Sequence, residues 1–261
     1  MVSRKSKASF VSLFPVAFSA EICLGDNLVE KLGDALRHQK LRLQNGDILV
    51  VKHKIVSKAE CRVVRLSEVM PSRAAQAWAK KAKADARLVQ LVFNESRRIL
   101  RKKMIAGRGV LISETHHGFI CANAGVDVSN VDGGVHALLL PKNPDRSAAR
   151  LRAAIKRKLG VRVAVIISDS FGRPWREGLT EVAIGVAGMK ALRDDRGKRD
   201  THGYKLRASA EATADEAACA AGLVCGKLNR TPVCILRGVS YEEGPGSAHE
   251  LLRPRKNDLF R

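Results

Sequence analysis

Acidic, hydroxyl and arginine side chains follow one another closely near the middle of the chain. The run VRVAVIISDSFGRPWREG (161–178) begins as an apolar, strand-like stretch and then delivers Asp169 and Ser170, followed by Arg173 and Arg176. Carboxylate and hydroxyl oxygens are ligands that Mg²⁺ and Mn²⁺ accept, and guanidinium groups bind phosphate or carboxylate. A capped turn, with arginine stems packed on the neighbouring tryptophan, is the structural alternative.

Two further loops share this character. The stretches SKAE (57–60) and NAGVDVSN (123–130) each follow a strand-like run, and they present Lys58 and Asp127. Because loops at strand ends often carry functional residues, the three loops together predict a site for a metal ion and a phosphate. Taken singly, each residue also has a structural interpretation: Asp127 as a turn residue, Asp169 as a helix cap and Lys58 as a solvated charge.

The chain is strongly basic, with 47 Lys and Arg against 26 Asp and Glu and a formal net charge of +21. This charge favours anionic partners, and nucleic acid, nucleotides, phosphorylated metabolites and amino acids all remain open. The basic runs RRILRKK (97–103) and KRKLG (156–160) support nucleic acid. Aromatic residues make up only 4% of the chain, so stacking platforms for single strands are scarce and nucleic acid is the weaker expectation.

Cysteine usage and hydropathy favour a cytoplasmic protein. None of the six cysteines forms a C-x-x-C pair, so we expect reduced thiols. The N-terminal stretch RKSK…FVSLFPVAFSA imitates a signal peptide, but Pro15 and two serines interrupt its apolar part. No apolar run reaches the roughly 18 residues of a membrane span, so no membrane partner is predicted. The stretch GLVCGKL (222–228) lacks the spacing of a P-loop and the Ser or Thr that follows its lysine.

Helix and strand patterns alternate only loosely, which predicts an α+β fold. Helices are expected over 72–103 with a break near Asp85, over 143–160 with Asp145 or Ser147 as cap and Gly160 as end, and over 208–226. Strands are expected before Ser57 and Lys58, on both sides of a His116-His117 turn, within 161–170, within 181–192 followed by a helix start, and within 232–238.

Several long segments also resemble a known family. GDILVVKHKIVSKAE, HGFICANAGVDVSNV, PDRSAARLR, ISDSFGRPWREG, ADEAACAAGLVCGK with PVCILRG, and GSAHELLRP follow one another between residues 46 and 260. In this order they resemble the coenzyme F420:L-glutamate ligases, the γ-glutamyl ligases that add the tail of the deazaflavin cofactor F420. The resemblance implies an α+β fold particular to that family, with mixed sheets, flanking helices and an intertwined homodimer. It also implies one domain over 1–261, with two interleaved subdomains as the alternative.

The resemblance implies an acid–amino-acid ligase of coenzyme F420 biosynthesis that forms a C–N bond. GTP would phosphorylate the terminal carboxylate on the lactyl-phosphate arm of F420-0, and the amine of L-glutamate would then attack the acyl phosphate. Further γ-linked glutamates could follow. The implied cofactors are Mg²⁺ or Mn²⁺, as two divalent ions, with K⁺ in addition. This reaction suits a basic protein, because all three substrates are anionic.

Site residues are carried over by their positions in the matching motifs. The resemblance implies metal binding by Asp127, Asp169 and Ser170, and nucleotide binding by Ser57, Lys58 and Asn130 and by an N-terminal loop that contains Ser19, Ala20, Glu21 and Ile22. The catalytic candidates are Asp127, Asp169, Arg173 and Arg176, and the anion-binding role of the two arginines is our own hypothesis.

The sequence departs from the family pattern at four places. Ser19 and Ala20 stand where Leu-Pro is usual, Cys61 where Gly is usual, and Lys227 where an acid or amide often helps to hold metal. The loop KLNRTP (227–232) also lacks a glycine-rich character. These changes leave open an altered substrate, reduced activity or a paralogue with another acyl acceptor. Two non-enzymatic alternatives are a basic nucleic-acid-binding protein and an inactive structural homologue with the same fold.

Overall fold

The computed structural model describes residues 10–129 and 133–258, and Asn130 lies outside them. The strands are β1 (Ser12–Val16), β2 (Ile48–Lys52), β3 (Val63–Arg65), β4 (Ser96–Ile105), β5 (Arg108–Thr115), β6 (Ile120–Ala122), β7 (His136–Leu138), β8 (Ala164–Arg173), β9 (Arg176–Ala187), β10 (Arg193–Asp194), β11 (Ala210–Glu211) and β12 (Val233–Arg237). The α-helices are α1 (Leu28–His38), α2 (His53–Ala59), α3 (Arg73–Ala82), α4 (Ala86–Glu95), α5 (Pro144–Leu159) and α6 (Thr213–Cys225).

A five-stranded mixed sheet holds the main core, in the order β1-β12-β2-β8-β9. Strands β2 and β8 are parallel, and the other neighbours are antiparallel. Their interior runs ILVV (48–51) and AVII (164–167) are fully buried, as expected for strands covered on both faces. Helices α5 and α6 pack against β9. Strands β2 and β8 run in the same direction, and β2 ends at Lys52 opposite Ser168, whereas β8 continues to Arg173 in its pairing with β9.

A second, smaller core lies between α3, α4 and the sheet β4-β5-β6, and Trp78 and Leu111 are among its buried residues. Gly109 allows this close packing, because a Cβ there would lie 2.2 Å from the Cβ of Ala82 on α3. Strands in several sheets together with helices confirm the predicted α+β class. The homodimer and the division into domains stay predictions.

The helix predicted over 72–103 is confirmed only in its first two thirds. Asp85 caps α4 by accepting a hydrogen bond from the backbone N of Arg87 at 2.8 Å, so the predicted break is present. Residues 97–103 belong to β4 instead, and the helix prediction there is wrong. The reason is tertiary: β4 pairs along β5, and Lys102 lies over the rings of Trp78 and Phe93 at 5.6 and 5.7 Å.

The end of α5 at Gly160 is confirmed, and a strand is present within 161–170, but β8 continues to Arg173 because it pairs with β9, so Asp169 and Ser170 lie inside the strand and not after it. The predicted cap of α5 is wrong. Asn143 accepts the hydrogen bond from the backbone N of Arg146 at 2.9 Å. The carboxylate of Asp145 faces away from the helix start and accepts bonds from the backbone of Val186 and Ala248, at 2.8 Å each. It therefore ties α5 to β9 and to the C-terminal segment.

Two further predictions are wrong. Ser57 and Lys58 do not follow a strand, since β2 ends at Lys52 and both residues lie in α2. No helix starts within 181–192, because β9 runs to Ala187 and the chain then turns at Gly188 with φ +87°.

The predicted turn at His116-His117 is confirmed, between β5 and β6. The Nε2 atom of His116 lies 2.9 Å from the carbonyl oxygen of Asn94, and that of His117 lies 2.9 Å from the carbonyl oxygen of Pro141. The two rings are therefore held by separate segments, and neither is placed to share a metal ion with the other. Within 10–129 and 133–258, none of the helices has the length and apolar character to cross a membrane.

Candidate active site

A cleft of about 650 Å³ opens where β2 ends at Lys52, beside residues 168–170 of β8. Its walls come from the N-terminal loop, the junction of β2 and α2, the hairpin β8-β9, the 123–129 segment and the loop after α6. Among its lining residues are Ala20, Glu21, Ile22, Lys52, His53, Lys54, Lys58, Asp127, Ser129, Asp169, Ser170, Glu181, Lys227 and Arg230. The three loops singled out in the sequence therefore do contribute to one concave surface.

Three consecutive residues at the junction of β2 and α2 each contact a different carboxylate across this cleft. The pairs are Lys52 Nζ with Glu181 Oε1 at 2.5 Å, His53 Nε2 with Asp169 Oδ1 at 3.3 Å, and Lys54 Nζ with Asp127 Oδ2 at 2.7 Å. The change from strand to helix at this point turns successive side chains in different directions, which is why neighbours in sequence reach three different partners.

Asp127 is positioned by a backbone bridge, since its N–H and C=O both pair with Leu138 of β7. Its Oδ1 accepts a 2.7 Å hydrogen bond from the backbone N of Ser129, and Lys54 also donates to the Ser129 hydroxyl at 2.6 Å. Burial opposes ionisation of Asp127, but the hydrogen bonds from Lys54 and Ser129 outweigh it and lower its pKa. Asp127 is therefore an anion at neutral pH.

Asp169 lies on β8 and is largely buried. Its Oδ1 accepts a 2.7 Å hydrogen bond from the backbone N of Ser170 and also faces His53. Burial and the nearby charge of Asp127 raise the pKa of Asp169, yet the contact with His53 and the Ser170 bond hold it below its ordinary value. The cleft thus presents two ionised carboxylates that sense one another's charge.

Carboxylate and hydroxyl oxygens of this kind fit a hard divalent cation. No group of three His, Cys, Asp or Glu side chains in the described part of the chain could hold a metal by itself. Mg²⁺ is usually held by one or two carboxylates, with water and substrate phosphate as its other ligands. Asp127, Asp169 and the hydroxyl of Ser170 are the donors that such an ion would use here.

The predicted nucleotide-contacting residues are distributed unevenly. Ala20, Glu21 and Ile22 line the cleft, whereas Ser19 is exposed and is absent from its lining. Lys58 also lines the cleft and forms an ion pair with Glu21. Ser57 is fully buried, with its Oγ 3.4 Å from Nδ1 of His53, so it lies behind the cleft wall.

Arg173 and Arg176 lie opposite each other at the tip of the hairpin β8-β9. Both are exposed, and neither lines the cleft. Arg173 donates from Nη2 to the carbonyl oxygen of Glu177 at 3.3 Å. Their predicted roles in catalysis and anion binding stay predictions.

Comparison with known proteins gives the family. Residues 19–238 match the family model described as F420-0:Gamma-glutamyl ligase. The chain is 42% identical over 220 residues to the coenzyme F420:L-glutamate ligase of Methanocaldococcus jannaschii, which covers 84% of this chain and 86% of that protein. It is 41% identical over 254 residues to the protein of that name from Methanothermobacter thermautotrophicus, with coverage of 96% and 99%. The chain belongs to the F420-0:γ-glutamyl ligase family.

The family departures noted in the sequence have definite places in the structure. Cys61, just after α2, adopts φ +55°, a backbone conformation that favours glycine. Lys227 lines the cleft directly after the end of α6. Ala20 and several residues of the loop 227–232 also line it, so three of the four departures reach the cleft surface.

Sequence reasoning missed several residues that line this cleft, among them Lys52, His53, Lys54 and Glu181. The KHK triplet (52–54) stands at the end of an apolar run, and its alternating pattern predicts a continued strand, whereas the structure begins α2 at His53. Glu181 follows the stretch SDSFGRPWREG (168–178) by three residues. It reaches the cleft only because β9 folds back and pairs Glu181 with Ser170. A hairpin centred on Pro174 and Trp175 would have been the signal for that pairing.

Proposed function

We propose that this protein is a GTP-dependent ligase that forms an amide bond between L-glutamate and the terminal carboxylate of F420-0. The observation that supports this most is one cleft that holds both a cation-binding oxygen set and a group of basic side chains. Asp127 and Asp169 are ionised, and five cationic side chains line the same walls: Lys52, Lys54, Lys58, Lys227 and Arg230.

The basic residues fit substrates that carry several negative charges. Lys52, Lys54 and Lys58 are each paired with a carboxylate. Lys227 and Arg230 form no ion pair with any carboxylate in the described part of the chain, so their charges are available for phosphate or carboxylate groups of a substrate. These two residues follow α6 and form one wall of the cleft.

The reaction needs an activated acid, because a free carboxylate has a poor leaving group. Transfer of the γ-phosphoryl group of GTP to a carboxylate oxygen of F420-0 gives an acyl phosphate and GDP. The glutamate amine then attacks the carbonyl carbon, the C–O bond to phosphate breaks, and the amine loses a proton. A divalent cation, when bound, neutralises charge on the transferring phosphoryl group.

The residues of the chain would act mainly by positioning and by charge. Asp127, Asp169 and Ser170 would hold Mg²⁺ or Mn²⁺ as oxygen donors, and K⁺ is a further proposed cofactor. Lys227 and Arg230 would hold the nucleotide phosphates and draw negative charge away from the reacting carboxylate. The N-terminal loop, through Ala20, Glu21 and Ile22, would contact the nucleotide.

The test is incubation of the purified protein with F420-0, L-glutamate, GTP and Mn²⁺, followed by mass spectrometry of the cofactor. We expect the mass to rise by one or more glutamyl units and GDP to form in equal amount. Asp169→Asn should abolish both, whereas Glu216→Gln on the exposed side of α6 should change neither. An unchanged F420-0 mass, with GTP bound, would refute F420-0 as the acceptor and point to another acid.

A further inference from the structure

Glu181 is a buried carboxylate that no step of the proposed reaction uses. Its side chain is only 8% exposed. Its carboxylate nevertheless accepts three hydrogen bonds. Oε1 accepts from Lys52 Nζ at 2.5 Å and from Ser170 Oγ at 2.7 Å, and Oε2 accepts from Ser168 Oγ at 2.8 Å. A buried carboxylate with three donors is well satisfied and has a single preferred orientation.

The direction of these hydrogen bonds has a chemical consequence. A hydroxyl group has one proton to donate and two lone pairs to offer, whereas an ionised carboxylate can only accept. The proton of the Ser170 hydroxyl therefore points at Glu181. Its lone pairs are left for the cleft, which is the orientation that a neutral oxygen ligand of a cation requires.

We propose that Glu181 is a positioning residue for the cation site. It fixes the Ser170 hydroxyl so that oxygen, and not hydrogen, faces an ion held with Asp169. The inference rests on the proposed function only in assuming that this cleft takes a divalent cation. The cross-strand pairing of Ser170 with Glu181 places the two side chains on the same face of the hairpin.

Methionine is the discriminating substitution at this position. Glu181→Met keeps the length of the side chain but has only a weakly accepting sulfur, so the hydroxyl of Ser170 loses the acceptor that holds its proton away from the cleft. We expect Mn²⁺ affinity, measured by electron paramagnetic resonance of free Mn²⁺ in the absence of nucleotide, to fall about tenfold. That is the lower end of the loss typical when a partner of a metal ligand is changed.

A double-mutant cycle tests whether Glu181 acts through Ser170. If it does, Glu181→Met and Ser170→Ala should each weaken Mn²⁺ binding, and the double variant should be scarcely weaker than Ser170→Ala alone. Ser170→Thr should keep the affinity, since it keeps the hydroxyl. Fully additive losses would overturn the proposal.

The ion pair with Lys52 suggests a rival explanation, in which Glu181→Met acts by leaving a positive charge unpaired. Lys52→Met combined with Glu181→Met separates the two: under our proposal the double variant stays weak, and recovery of wild-type affinity would overturn it. Glu216→Gln removes the same charge from an exposed position of α6 and should leave Mn²⁺ affinity unchanged.

Failure of the inference is distinguishable from failure of the proposed function. A wild-type protein that binds Mn²⁺ but does not extend F420-0 refutes the proposed reaction and leaves the cycle interpretable. A wild-type protein that does not bind Mn²⁺ overturns the positioning role itself. Thermal unfolding of each variant identifies those that lose affinity merely by unfolding.

Discussion

Gly222 of α6 packs directly against the side chain of Glu181, and a Cβ at Gly222 would lie 2.8 Å from Glu181 Cγ. The atom that it would meet is in the middle of a side chain held at its far end by three donors, so the carboxylate could not move without losing hydrogen bonds. The absence of a side chain at Gly222 therefore gives Glu181 its position.

Gly222→Ala should consequently weaken Mn²⁺ binding while leaving the stability of the protein nearly unchanged. Alanine gains up to about 1 kcal/mol of helix propensity over glycine, which offsets much of the steric conflict. We expect a melting temperature within a few degrees of wild type but several-fold weaker Mn²⁺ binding. Gly33→Ala in α1 is the matched control, because a Cβ there meets only ordinary contacts at 3.5 and 4.0 Å. An equal effect of both substitutions on Mn²⁺ would contradict this explanation.

Cys61→Gly should stabilise the protein. Cys61 has φ +55° and is exposed, so its side chain strains the backbone and gains little by packing. Relief of the left-handed conformation, about 1–2 kcal/mol, exceeds the entropy that glycine adds to the unfolded chain, about 0.5–1 kcal/mol. We expect a net gain of about 0.5–1 kcal/mol in unfolding free energy, measured by urea denaturation. Cys61→Ala keeps the strained φ and should show no gain; an equal gain would assign the effect to the thiol.

The parts of the fold that could be predicted are those governed by local pattern. Continuous apolar runs at 48–51 and 164–167 gave buried strands, and Gly160 gave the end of α5. Residues 97–103 could not be assigned in this way, because Arg and Lys suit a helix and only pairing with β5 makes them a strand. A short-range pattern does not contain that information.

The candidate site shows the same division. Asp127, Asp169 and Ser170 could be selected because acids and hydroxyls at strand ends have a recognisable chemistry, and the structure brings all three to one cleft. Glu181 could not, because its place depends on the register of a hairpin. Lys52 carries no sequence signal of its own, because charged residues at strand ends are common and its partner lies 129 positions away in the sequence.

His117 should make stability depend on pH. Its Nε2 donates to the carbonyl oxygens of Pro141 and Lys142 at 2.9 and 3.2 Å, while Nδ1 is buried without a partner. Burial lowers the pKa of His117 from 6.5, and the two carbonyl bonds only partly oppose this. The unfolded chain therefore binds the proton more readily. The contribution of neutral His117 to the free energy of unfolding is therefore complete above pH 6.5, and it is lost as the pH falls toward the lower pKa of the folded state.

His117→Gln keeps a donor but cannot titrate in this range. We expect the difference in unfolding free energy between wild type and variant, measured in urea at pH 7.5 and pH 5.0, to shrink at the lower pH. A full shift of one pKa unit corresponds to roughly 1.4 kcal/mol. Between the two pH values, the free-energy difference should change by only a fraction of that amount, because the side chain of His117 is partly hydrated. A difference that stays constant or grows on acidification would contradict the direction of the pKa shift.

Lys227→Gln should strengthen cation binding. The ammonium group of Lys227 lines the same cleft as Asp127 and Asp169, so it repels a divalent ion held there. Removing this charge should tighten Mn²⁺ binding about fivefold, or roughly 1 kcal/mol in a partly hydrated cleft. Lys103→Gln on the exposed face of β4 changes the net charge equally and should have no effect. Unaltered affinity in Lys227→Gln would mean that its ammonium group lies too far from the ion to influence it.

Arg176→Ala should raise the KM of a phosphorylated substrate and leave kcat close to wild type. Arg176 is exposed at the tip of the hairpin that leads to Glu181, so its removal should not lower the melting temperature. If it holds phosphate or carboxylate, loss of that contact should raise KM about tenfold, equivalent to about 1.4 kcal/mol of uniform binding. Steady-state kinetics with F420-0, GTP and glutamate varied in turn would identify the substrate concerned.

The control is Arg176→Lys, which keeps the charge but loses the planar guanidinium group. Its KM should lie between those of the wild type and of Arg176→Ala. Wild-type KM values for all three substrates in Arg176→Ala would assign the hairpin arginines to the solvent and leave anion binding to the lysines of the cleft.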